Sequence, residues 1–207
     1  MEKKVFETKR IVVVGSESTG KTTLAKRLVD YFRNKGGAFS NTQWVAEYGR
    51  DYTYEKLARL EQDSRRDKNV PVGMDQLIWI EEDFIHIGKI QTEKEDQAAR
   101  ISGPVLICDT DAFATAIWHE RYRNYWPTSM DPIISGMKKR ALYLLCDHVG
   151  VQFHQDGIRD GEHLRQWMTE RFEREMIKRD FPYVKLQGGY EERFLKSVQE
   201  IEKILIR

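Results

Sequence analysis

Five short apolar runs, at residues 11–14, 42–46, 105–108, 141–146 and 183–186, alternate along the chain with stretches whose apolar residues return at helical spacing. Runs this short, rich in Val, Ile and Leu, read as strands. Leu24, Leu28, Tyr31 and Phe32 share one helical face ahead of Gly36-Gly37, a plausible stop. Leu77, Ile80, Phe84 and Ile87 stripe a helix predicted over 74–99, and Phe194, Val198, Ile201 and Leu205 stripe another near the C-terminus. Further helices are predicted over 112–122 and 162–179, while the very polar span 57–69 reads as a surface helix or loop. Strands apolar on both faces must be covered on both. The alternation therefore predicts an α/β fold: a parallel five-stranded sheet flanked by helices, with its site at the carboxyl ends of the strands.

Between the first strand and the first helix runs Gly15-Ser16-Glu17-Ser18-Thr19-Gly20-Lys21-Thr22-Thr23, a full match to the glycine-rich phosphate loop. Gly15 and Gly20 let the backbone curl so that successive N–H groups face an anionic phosphate chain. Lys21 adds a mobile positive charge. Thr22 opens the helix, where its hydroxyl can reach a magnesium ion (Mg2+) on the terminal phosphates, and Thr23 can bond the alpha phosphate. ATP with Mg2+ is the expected cofactor pair, although the loop alone does not separate ATP from GTP.

Composition narrows the partners. A chain of 207 residues that is 40% hydrophobic suits one domain over residues 1–207, with a sizeable core. Its 34 basic and 33 acidic residues leave a formal charge of +1, too balanced to grip a nucleic acid without sequence preference. No stretch reads as a signal or a membrane span, so a cytoplasmic location is expected. Cys108 and Cys146 each end an apolar run and read as buried thiols in a reducing compartment. The five histidines show no metal-ligand spacing, and no Ser-His-Asp arrangement is evident, which removes zinc and hydrolase chemistry.

Acids and bases just after the strands carry the remaining chemistry. Asp109 ends the third strand, placed to bind magnesium beside Thr22. Asp111 is open to two roles, a cap on the following helix or a substrate contact. Glu47 follows the second strand and is a candidate to take a proton from an acceptor hydroxyl, with Arg50 to clamp phosphate or pair with it. The turn at 155–160 precedes an amphipathic helix and has the composition of a lid at about 150–165, with Arg159 as its working residue.

With these pieces in place the chain resembles the ribosylnicotinamide kinase family of P-loop kinases, typified by the C-terminal kinase region of the bacterial NAD-biosynthesis protein NadR. The resemblance rests on the phosphate loop at 15–23, Glu47-Tyr48-Gly49-Arg50, Asp109-Thr110-Asp111, Asp156-Gly157-Ile158-Arg159 and Gly189-Tyr190-Glu191-Glu192-Arg193. It implies a P-loop kinase of the nucleoside type that uses ATP to phosphorylate the ribose 5'-hydroxyl of nicotinamide riboside, giving nicotinamide mononucleotide. The expected catalytic residues are Lys21, Glu47, Asp109 and Arg159, with either Glu47 or Asp111 activating the acceptor hydroxyl; Thr22 and Asp109 are the expected metal ligands, and Tyr48, Arg50 and Asp111 are expected on the substrate. By analogy with nucleoside kinases, helices at about 52–100 wall the acceptor pocket, Gln91 is a candidate for the base or its carboxamide, and Trp118 and Tyr122 for stacking on a pyridinium ring. His154-Gln155 stands where the family has a more acidic run. The adenylyltransferase and DNA-binding regions of bifunctional relatives are missing, so kinase activity alone is expected. The rivals are a kinase for another nucleoside or nucleotide, and a regulatory NTPase. The aromatic segment 118–126 is open to a pocket wall, core or a dimer face.

Overall fold

The computed structural model describes residues 7–67, 73–154 and 161–206. Five parallel strands, β1 (Lys9–Val14), β2 (Gln43–Val45), β3 (Val105–Asp109), β4 (Leu142–Cys146) and β5 (Tyr183–Leu186), form one sheet in the order β2-β3-β1-β4-β5. The central strand β1 pairs with β3 and β4, and its register sets Val13 opposite Asp109 and Val14 opposite Leu145. The carboxyl end of β1, where the phosphate loop begins, is thus flanked by the ends of two other strands.

Seven α-helices among the described residues cover this sheet: α1 (Lys21–Asn34), α2 (Tyr48–Asp67), α3 (Glu81–Ile101), α4 (Ala112–Arg123), α5 (Asp131–Gly136), α6 (Arg165–Lys178) and α7 (Tyr190–Leu205). Strand side chains alternate between faces, and the core divides accordingly. Ile11, Val13, Ile107 and Leu144 pack with Leu24, Leu28 and Phe32 of α1 and Phe194, Val198 and Ile201 of α7. Val12, Val14, Leu106 and Leu145 pack on the opposite side with Phe84 of α3, Phe113 and Ile117 of α4, and Phe172 and Met176 of α6. Cys108 and Cys146 lie on opposite faces of the sheet as free thiols, and burial pushes Cys146 up to about 12. No helix among the described residues is long and apolar enough to cross a membrane.

Two boundaries differ from the periodicity. The helix expected over 74–99 starts only at Glu81, after a separate 3-10 turn at Met74–Gln76, so Leu77 and Ile80 lie ahead of it. The three acids Glu81, Glu82 and Asp83 favour a start there by opposing the helix dipole, and Asp83 accepts the Ile80 N–H at 2.9 Å. Similarly, the helix expected over 162–179 is a 3-10 turn, Glu162–Leu164, leading into α6. The polar span 57–69 belongs to α2 as far as Asp67, and that helix is anchored by Tyr48 and Tyr52 against Ile87 of α3.

Candidate active site

The phosphate loop curls as its glycines require. At Gly15 φ is +146°, and an added Cβ would lie 2.6 Å from the carbonyl oxygen of Cys146, so only glycine lets the loop leave β1 this close to β4. Gly20 is left-handed at φ +80° and opens α1. Thr19 donates to Ser16 O at 2.9 Å, and Lys21 Nζ donates to the same oxygen at 2.8 Å. The lysine therefore rests along the loop whose amides it would assist.

Thr22 Oγ1 donates to Asp109 Oδ2 at 2.6 Å, which brings the two expected metal ligands into direct contact. The register of β1 with β3 makes this contact possible. Asp109 is almost wholly buried, and burial raises its pKa against the opposing pull of Thr22, Lys21 and Arg50. Its Oδ1 is buried with no hydrogen-bond partner among the described residues. A carboxylate that is half unsatisfied beside a threonine hydroxyl fits an oxygen-seeking cation such as Mg2+.

A cavity of about 610 Å³ opens over the loop. Its lining combines Glu17, Ser18, Thr19, Gly20, Lys21, Thr22 and Thr23 of the loop, Glu47, Gly49, Arg50 and Thr53 after β2, and the apolar Trp79, Phe84, Trp118 and Tyr122. Tyr122 stacks with two indoles, 5.7 Å from Trp79 at 26° and 6.4 Å from Trp118 at 29°. Arg121 lies over Trp118 and Tyr122 and reaches to 4.0 Å from Glu17, tying the aromatic wall to the phosphate loop.

Three expected substrate contacts face elsewhere. Asp111 is completely buried: its Oδ1 accepts Ala114 N at 3.0 Å, and its Oδ2 accepts the Tyr143 hydroxyl at 2.8 Å and Arg140 Nε at 3.3 Å. Of its two open roles, the helix cap is the one present. Gln91 turns inward, accepting the Tyr48 N–H at 3.0 Å and facing Glu95 at 3.4 Å, so it does not line the cavity. Tyr48 packs against Tyr52 and Ile87, its hydroxyl 3.3 Å from His86 Nε2. Arg159 lies outside the described residues.

Several neighbours of the site escaped sequence reasoning. Trp79 and Phe84 join the aromatic wall; Phe84 was legible only as a core position, and nothing in the spacing singled out Trp79. Two buried arginines also hold the loop from behind. Arg193 donates to Gly188 O at 2.8 Å and reaches Thr19 O at 3.3 Å and Val149 O at 3.4 Å. Arg165 donates to Val151 O at 2.9 Å and reaches Ser18 O at 3.4 Å. Both are thus spent on main-chain carbonyls. Beside them a smaller cavity of about 230 Å³ lies between Gly20, Leu24, Gly150, Val151, Gly188, Gly189 and Tyr190.

Comparison with known proteins agrees with this architecture. The chain is 24% identical over 208 residues to the trifunctional NAD biosynthesis/regulator protein NadR of Salmonella typhimurium, an alignment covering 99% of this chain and 44% of that protein. It thus spans less than half the length of this curated relative. Among solved structures, NadR in complex with NR superposes with a TM-score of 0.67 at 20% identity, over 97% of this chain and 52% of that one. Thymidylate kinase from Ehrlichia chaffeensis superposes with a TM-score of 0.62 at 12% identity, over 94% and 98% of the respective chains. These likenesses establish a P-loop nucleoside-kinase type of fold. The family model described as AAA domain matches residues 10–193, and the chain belongs to that AAA domain family.

Proposed function

We propose that this protein is an ATP-dependent kinase that phosphorylates nicotinamide riboside to nicotinamide mononucleotide. The observation that carries the reading is one cavity lined both by the phosphate loop, whose Thr22 is bonded to Asp109, and by the aromatic side chains Trp79, Phe84, Trp118 and Tyr122. A flat, cationic base is attracted to indole and phenol faces, so Trp118, Tyr122 and Trp79 suit a pyridinium ring. The similarity to NadR supports the same substrate.

In the proposed reaction the acceptor 5'-oxygen attacks the gamma phosphorus, its proton passes to Glu47, and the bond to the ADP oxygen breaks. The loop amides and Lys21 hold the phosphates in line, and Arg50 at the cavity edge helps orient them. Thr22 and Asp109 would hold Mg2+, which supplies positive charge to the beta and gamma phosphates when bound. Arg159, from the lid, would bring a further cation onto the transferring group. Asp111 is sealed in the core, which leaves Glu47 as the proton acceptor of this reading.

Purified protein supplied with Mg-ATP and a panel of nucleosides tests this. Acceptor-dependent ADP release with nicotinamide riboside is expected. Rapid use of thymidine or deoxyadenosine with no turnover of nicotinamide riboside overturns the substrate, and slow hydrolysis indifferent to any acceptor points to a regulatory NTPase.

A further inference from the structure

The first backbone N–H of α2 has no acceptor within its own helix, as at every helix start. Here the acceptor comes from another helix: Tyr48 N donates to Gln91 Oε1 of α3 at 3.0 Å. Glu47 is the residue immediately before this anchor, so its backbone position depends on the bond.

The orientation of the Gln91 amide is set one turn further along α3. Its Nε2 faces Glu95 Oε1 at 3.4 Å, which leaves the carbonyl end for Tyr48. Glu95 Oε2 accepts Arg140, and Arg140 Nε donates to Asp111 Oδ2 at 3.3 Å. Asp111 in turn caps α4 and lies two residues beyond Asp109. All four residues are between 0% and 5% exposed, so bulk solvent does not compete for these links. A buried chain of hydrogen bonds therefore joins Tyr48, the residue after Glu47 beyond the end of β2, to Asp111, two residues beyond Asp109 at the end of the neighbouring strand β3.

We propose that Gln91, Glu95 and Arg140 are positioning residues that set Glu47 relative to Asp109 through the anchored Tyr48 N–H. The proposal rests on the phosphotransfer reading in taking Glu47 as the proton acceptor. None of the three touches the cavity, so they act on the rate through geometry and leave the binding surfaces alone.

Gln91→Met keeps the side-chain length and removes both hydrogen-bonding ends. We expect kcat to fall about ten- to a hundredfold as the base loses alignment, with KM for nucleotide and acceptor within about twofold of wild type. In a Glu47→Gln background the same substitution should cost nothing further, because its effect passes through Glu47. An equal fractional loss in both backgrounds overturns the inference and leaves the kinase reading standing. If Glu47→Gln itself keeps full kcat, Glu47 is not the base and the inference falls with that assignment, while the acceptor assay still decides the kinase reading. Gln91→Asn, which stays polar but draws the amide back from Tyr48, carries the same cycle should the Met variant not fold. Amide exchange at Tyr48 in the free protein needs no substrate: faster exchange in either variant is expected, and unchanged exchange overturns the anchor whatever the acceptor proves to be.

Discussion

Replacing Arg193 by Met should loosen the phosphate loop from behind, without touching any surface that faces phosphate. The residue is 4% exposed, and its guanidinium holds three carbonyl oxygens from separate parts of the chain: Gly188 after β5, Thr19 in the loop and Val149 after β4. The 2.8 Å bond to Gly188 has good length and, being charge-assisted, contributes about 1.5–3 kcal/mol. At 3.3 and 3.4 Å the other two are weaker, and we assign them about 0.5–1 kcal/mol each. Removing the buried charge returns part of its desolvation cost, while the thioether occupies the same slot. The net expectation is a loss of about 2–4 kcal/mol, read as a lower urea midpoint at unchanged slope. Freed from Arg193, the Thr19–Gly20 peptide samples orientations that point away from phosphate, so affinity for a non-hydrolysable ATP analogue should drop about tenfold by calorimetry. Arg193→Lys, which keeps the charge but reaches fewer carbonyls, should fall between. An Arg193→Met protein with wild-type stability and wild-type nucleotide affinity would refute the idea that this arginine braces the loop.

Three further outcomes are expected. Gly15→Ala places a methyl 2.6 Å from Cys146 O at a φ of +146°, which should lower stability by about 2–4 kcal/mol and abolish nucleotide binding; a wild-type melting temperature rejects this. Burial raises the pKa of Asp109, so a proton competes with Mg2+ more than at an exposed Asp: metal affinity should weaken as pH falls, whereas Asp109→Asn should bind weakly at every pH, and pH-independent wild-type binding counts against the metal site. Burial pushes Glu95 up to about 8, against 4.5 when exposed, despite Arg140 beside it. The folded chain thus keeps a proton that the unfolded chain has lost, so this stabilising contribution is present below about pH 4.5 and is lost as pH rises through 8. Denaturation of Glu95→Gln should gain on wild type across that window, and parallel pH profiles would contradict the assignment.

Much of the molecule was legible in the chain because the signals are local. The phosphate loop is nine contiguous residues, and the period-two burial of β1 sends Ile11 and Val13 to one core and Val12 and Val14 to the other. Asp109 was readable as a candidate because a parallel strand brings its carboxyl end to the same edge of the sheet as the phosphate loop. Tertiary structure alone decided where each polar side chain turns. Gln91 and Asp111 have composition and position suited to a substrate contact, but partners 43 and 29 residues away draw them into the core. Arg193 is 174 residues from Thr19, and no spacing rule connects them. Periodicity reports which face of a helix is buried. Which buried donor finds which acceptor depends on how helices pack across the sheet, and the bonds that Gln91 makes to Tyr48 and Arg193 to the phosphate loop are of that second kind.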